Sequence, residues 1–170
     1  WDTSPKAYLR SVYDGERSKA YDVSSDHRFG QWLKNETSSY CSPKFISEQD
    51  LDSFLGSVDK QGTYYRWEVS YENNELADII LAKTGQRFKI IKRITPIKRG
   101  DSGRILTLEI NGTVDNDTNF SLVIDSEYEI RRLLHPEFLY SSAFTVESNS
   151  RLDNEAIRFT LKGAGWGHGV

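Results

Sequence analysis

Four glycines are interleaved with one Trp and one His in Gly163-Ala164-Gly165-Trp166-Gly167-His168-Gly169-Val170. Glycine removes side-chain bulk, so backbone can approach a ligand closely and the imidazole stays accessible. A Trp ring beside such a His offers an apolar platform for a sugar face together with a hydrogen-bonding group. Read without a ligand, the same run is a Gly-rich turn with a solvated His. A second cluster is Arg131-Arg132 followed by Leu139-Tyr140-Ser141-Ser142-Ala143-Phe144. A guanidinium with two hydroxyls can read carboxylate or sugar oxygens. Consecutive residues on a helix point in different directions, so only one of the two arginines can face a given site. The plain alternative is a solvated helix face followed by a turn.

Other chemistries find less support. The imidazole and thiol ligands are His27, His135, His168 and Cys41, and none stand at the two-to-four-residue spacing of structural zinc sites. A pairing of His27 with Cys41 would need ligands from elsewhere, and no metal is expected. No Gly-x-Ser-x-Gly elbow exists to present a nucleophile. With 25 acidic residues, the mere presence of paired carboxylates carries no information. Arg99-Gly100-Asp101 is explained by an ordinary hairpin turn, and the sequons at Asn35, Asn111, Asn116 and Asn119 arise freely in polar loops.

The elements that would position these groups follow from periodicity. Residues 1–60 are polar and read as an irregular, partly helical arm, with a short helix expected after Ser47. Residues 61–170 read as a strand-rich core. Tyr65, Trp67, Val69 and Tyr71 alternate with polar residues, which predicts a strand with one buried face. Asn73 or Asn74 should cap a helix carrying Leu76, Ile79 and Ile80 and ending near Gly85. Phe88 to Ile97 and Arg104 to Asn111 predict a hairpin closed by Arg99 to Gly103, and Phe120 to Ile124 another strand. Ser126 and Glu129 have capping-box spacing for a helix stopped by His135-Pro136. Phe144 to Glu147 and Ile157 to Lys162 close the order. The expected class is α+β, a strand-rich mixed single domain with a few short helices.

The chain has 170 residues, of which 37% are hydrophobic and 12% aromatic, enough for one packed core. A net charge of -3 argues against a generic nucleic-acid binder. No apolar run reaches the roughly 20 residues of a membrane span. Without any Met, Trp1 is not expected to be a natural start, so the domain is expected to be incomplete at both ends.

The Gly163–Val170 string resembles the signature of the stage II sporulation protein D and amidase-enhancer family of bacterial cell-wall proteins. Ala7-Tyr8-Leu9-Arg10-Ser11-Val12, Tyr64-Tyr65-Arg66-Trp67-Glu68-Val69, Arg99-Gly100-Asp101-Ser102-Gly103-Arg104-Ile105, Arg131-Arg132-Leu133-Leu134 and Leu139 to Phe144 follow the resemblance in order. It implies peptidoglycan remodelling outside the cytoplasm, at the cell envelope. The substrate would be glycan strands lacking stem peptides, and the partner a cell-wall amidase. The activity implied is that of a lytic transglycosylase, in which an acid protonates the glycosidic oxygen and the sugar's own primary hydroxyl closes an anhydro ring. The alternative is a noncatalytic glycan-binding module that enhances an amidase. The resemblance places the catalytic Glu upstream of Trp1, so no acid of this chain takes that role. Some relatives bind zinc, which Cys41 alone does not support here. His168 and Trp166, shaped by Gly165, Gly167 and Gly169, match the signature as substrate-binding residues, with Arg131, Ser141 and Ser142 matching the second motif. Arg99 and Arg104 are expected to brace a turn, and Arg66 and Trp67 to pack within a strand.

Overall fold

The computed structural model describes residues 12–15, 21–35, 39–47, 50, 53, 65–149 and 158–165. Of the helix expected after Ser47, Asp50 and Ser53 are described and helical, with the Ser47 hydroxyl accepting from the Asp50 N–H at 3.1 Å, and the rest of it and most of the arm before Tyr21 lie outside the described residues. Within them the order is α1 (Asp26–Lys34), β1 (Arg66–Glu72), α2 (Asn73–Thr84), β2 (Ile90–Arg99), β3 (Ile105–Thr113), β4 (Asn119–Ile124), α3 (Glu127–Leu133), β5 (Phe144–Asn149) and β6 (Arg158–Ala164). The class is α+β and strand-rich, as the periodicities require. No helix among the described residues is long and apolar enough to cross a membrane.

The strands form two antiparallel sheets, ordered β1-β6-β5 and β2-β3-β4. The last strand in sequence is therefore the centre of the first sheet, with Trp67 and Phe144 both in register with Gly163. The two sheets share one apolar cluster with α2 and α3, including Trp67, Leu76, Ile80, Ile110, Ile130, Phe144 and Phe159. Strand β2 must bury both Ile91 and Ile94, an odd spacing that simple alternation forbids. A register shift between Ile91 and Arg93 resolves the conflict by adding a residue to one side of the ladder. Pro96, which has no N–H to donate, is tolerated because β2 lies at a sheet edge.

The caps differ in one respect from expectation. Helix α2 ends at Gly85, in the left-handed conformation at φ 73°, as predicted. Its N-cap is Glu72, not Asn73 or Asn74, and the Glu72 N–H donates to the Glu75 carboxylate at 3.4 Å. Asn73 is drawn into the interior instead. Its amide donates to the Ile91 carbonyl at 2.6 Å and accepts from the Ile91 N–H at 3.0 Å, tying α2 to β2. A buried strand backbone with both groups satisfied outweighs a solvent-side cap. Ser126 caps α3 as expected, accepting from Glu129 N–H at 3.4 Å.

Helix α1 was not individually legible, since Gly30 sits mid-helix. Ser25 caps it, and the fully buried Phe29 anchors it in a small cluster with Val23 and Ala143. Gly30 faces Thr145 of β5, where an added Cβ would make an ordinary contact at 3.7 Å from the threonine methyl.

The end of α3 is held from outside. The Lys83 ammonium on α2 donates to the carbonyls of Arg132 (2.6 Å), His135 (2.5 Å) and Glu137 (3.2 Å). His135 Nδ1 accepts from the Glu137 N–H at 3.1 Å, which requires that nitrogen to be unprotonated. Burial pushes His135 below its ordinary 6.5; the Glu137 carboxylate opposes this and the Lys83 ammonium adds to it. The unfolded chain therefore takes up this proton first on acidification. Stability from this group is full above about pH 6.5 and declines as pH falls through the lower folded value. His135→Asn should flatten that part of the pH profile of urea midpoints between about pH 8 and 5. Identical slopes in the two proteins would refute the assignment.

Candidate functional site

Alternation along β1 turns Trp67 and Tyr71 into the core and leaves Arg66, Glu68 and Ser70 on the outer face. Register with β6 sets Lys162 opposite Glu68 and Thr160 opposite Ser70, where the two hydroxyls meet at 2.8 Å. Register with β5 sets Thr145 against the other side of Lys162. Helix α1 overhangs one end of this polar face. Between them lies a groove of about 500 Å³, lined by Gly30, Leu33 and Lys34 of α1 and by Arg66, Glu68, Thr145, Glu147 and Lys162 of the sheet. A second depression of about 530 Å³ shares Leu33, Lys34 and Arg66 with the first and adds Ser42, Pro43, Lys44 and Tyr65.

The charges in this groove are segregated. The Lys162 ammonium lies 2.7 Å from Glu147 and 3.9 Å from Glu68. Its hydrogen bond to Glu147, with the field of both acids, raises its pKa. At the other end the Arg66 guanidinium lies over Trp32 at 4.4 Å and over Tyr65 at 4.1 Å. Nε donates to the Leu33 carbonyl at 3.1 Å and Nη1 to the Tyr65 carbonyl at 2.9 Å, whereas the buried Nη2 has no acceptor among the described residues. Burial lowers the Arg66 pKa from its ordinary value. A polar sheet face with one fixed ion pair, a stacked guanidinium and a flanking helix is suited to an extended, hydroxyl-rich ligand.

All 170 residues, 1–170, match the family model described as a domain of unknown function, DUF8618. The chain belongs to the DUF8618 family. No curated protein and no solved structure matches it.

Of the residues singled out by type and spacing, Gly165 stands beside Tyr65 and lines neither depression of this DUF8618 domain. It follows β6 with φ at 71°, a left-handed turn that glycine adopts without strain. The Gly165 N–H points to the Tyr65 carbonyl at 3.4 Å, and the Gly165 carbonyl accepts from Trp67 Nε1 at 3.1 Å. Trp166, Gly167, His168 and Gly169 lie outside the described residues.

Arg131, Ser141 and Ser142 are buried in the DUF8618 domain and do not line the groove. Arg131 donates to the carbonyls of Leu139 (2.8 Å) and Tyr140 (3.1 Å) and stacks over Phe138 at 4.3 Å, folding the segment after α3 back on the helix. Its burial lowers its pKa. The neighbouring Arg132 turns outward to Glu129 at 2.7 Å, as the helical geometry of consecutive residues requires. The Ser141 hydroxyl donates to the Ala164 carbonyl at 2.8 Å, fixing the chain one residue before Gly165. Ser142 holds β3 through its carbonyl, which accepts from Ile105 N–H at 2.9 Å, and its hydroxyl has no partner.

Trp67 packs in the strand as expected, and both it and Arg66 also line the groove. Lys34, Glu68, Glu147 and Lys162 were missed as site residues. Strand alternation marks Glu68 as outward-facing, yet nothing local says that β6 and β5 bring Lys162 and Glu147 beside it. No group of three or more His, Cys, Asp or Glu side chains suited to a metal gathers among the described residues. His27 and Cys41 are both exposed.

Proposed function

We propose that this DUF8618 chain holds peptidoglycan glycan strands stripped of stem peptides, outside the cytoplasm, as part of a lytic transglycosylase. One observation carries the reading: β6, which bounds an open groove on the sheet through Lys162 and Gly163, ends at Gly165 in a left-handed turn beside Tyr65, immediately before Trp166 in sequence. The resemblance gives Trp166 as a stacking ring and His168 as a hydrogen-bonding group, both on a segment whose glycines leave space for sugar. The family resemblance supplies the reaction class. It places the proton-donating Glu upstream of Trp1, and no cofactor is required.

A second reading, a noncatalytic glycan-binding module that stimulates a cell-wall amidase, uses the same groove without its acids. Glu68 and Glu147 both face the Lys162 ammonium, so neither is free of a counter-charge.

The test incubates the protein, as encoded by its gene, with stem-peptide-free strands and reads the products by mass spectrometry. Anhydro-sugar ends establish the transglycosylase, whereas binding without cleavage establishes the module. Absence of both overturns the proposal. His168→Ala should lower turnover, or affinity in the second case, by at least about tenfold with little shift in Tm, because a site residue flanked by glycines has few packing contacts. Parallel losses of Tm and activity would remove His168 from the site.

A further inference from the structure

The two depressions meet at Leu33, Lys34 and Arg66, and the charge there is unbalanced. Lys34, Lys44 and Arg66 line this junction, and none of them forms an ion pair among the described residues. Glu68, the acid nearest along β1, is directed to Lys162. The guanidinium plane of Arg66 is set by the rings of Trp32 and Tyr65 and by two backbone carbonyls, which leaves Nη2 as the unspent donor. A guanidinium held in one orientation with a donor in reserve, with Lys34 and Lys44 lining the same depression, matches a planar oxyanion.

We propose that this junction is a carboxylate subsite, in which Arg66, with Lys34 and Lys44 at the rim, receives an acidic group borne by the glycan. The inference rests on the glycan reading above and adds to it: the groove selects strands whose sugars carry free carboxylates over neutral ones. The Glu68–Lys162–Glu147 end, with its cation already satisfied, takes the neutral part of the chain.

The test titrates the full protein with stem-peptide-free strands, with the same strands after amidation of their carboxyl groups, with polygalacturonate and with polyphosphate. The unmodified strands should bind at least about tenfold tighter than the amidated ones. Lys34→Gln with Lys44→Gln, two rim changes that leave the core intact, should narrow that preference, weakening unmodified strands by a larger factor than amidated ones. Arg66→Lys, which keeps the charge but not the fork, should reduce it. Equal affinity for unmodified and amidated strands would overturn the subsite and leave the glycan reading standing. Binding of polygalacturonate but of neither strand, lost in the double variant, would keep the subsite and overturn the glycan reading. Polyphosphate binding as tightly as the carboxylated strands would overturn the assignment to carboxylate.

Discussion

Gly163→Ala should destabilise the protein by about 3–5 kcal/mol. Gly163 is in the central strand of its sheet, in register with Trp67 on one side and Phe144 on the other. A methyl group there would overlap the Trp67 indole, meeting Cζ2 and Cε2 and standing 2.6 Å from Cη2. The ring has nowhere to go. It is buried, its Nε1 is committed to the Gly165 carbonyl at 3.1 Å, and Tyr140 and Phe144 lie 5.7 and 6.1 Å away, centroid to centroid. Overpacking commonly costs about 1–3 kcal/mol where neighbours can shift. Here relief requires expelling a buried aromatic, which costs about 3–5 kcal/mol. That is a large share of the roughly 5–15 kcal/mol that holds a domain together.

Trp67→Ala alone should cost a similar amount by leaving a cavity. The two changes should not add, because removing the ring removes the clash. Urea unfolding of the four proteins of the cycle should therefore show a coupling of at least about 1 kcal/mol. A Gly163→Ala protein that melts like the parent would refute the packing argument.

Arg99→Met should release α1 and with it the groove. The Arg99 side chain is 2% exposed, and each arm of its guanidinium is engaged: Nε with Asp26 at 2.6 Å, Nη1 with the Gly103 carbonyl at 2.7 Å, Nη2 with the Phe144 carbonyl at 2.6 Å. Its plane lies 4.5 Å from the Phe29 ring centre, so one side chain joins α1, the β2–β3 turn and β5. Burial lowers its pKa, and the Asp26 carboxylate opposes that shift. Methionine fills much of the volume but leaves two carbonyls without donors. Asp26 is half-exposed and regains water, so most of the loss falls on the carbonyls and on the attachment of α1. Breaking such a buried network costs about 3–5 kcal/mol.

Asp26→Asn should cost no more than about 1 kcal/mol, since its carboxylate is partly solvated. Hydrogen exchange distinguishes local from global effects. In Arg99→Met the amides of α1 should exchange fastest relative to the parent, and ligand affinity should fall because Gly30, Leu33 and Lys34 line the groove. Unchanged protection in α1 would show that the helix is held by Phe29 alone.

The turn that Arg99 braces was expected from Arg99-Gly100-Asp101-Ser102-Gly103, but its reach to Asp26 and Phe144 was not. That division recurs through the molecule. The buried stripe of β1, the stop at Gly85, the cap at Ser126 and the β2–β3 hairpin are written in residues within a few positions of one another. Propensity, periodicity and capping act over that range, so the sequence alone determines them. Asn73 marks the limit, because a cap and a strand clamp use the same amide and only the presence of Ile91 decides between them. Likewise Arg131 and Ser141 carry groups suited to a ligand, and burial commits them to backbone carbonyls instead. What only the tertiary structure decided is the central place of β6, the docking of α1 and the meeting of Arg66, Glu68, Glu147 and Lys162 in one groove. Those depend on strand order and register between segments nearly a hundred residues apart, which are set by whole faces burying together and not by any local pattern.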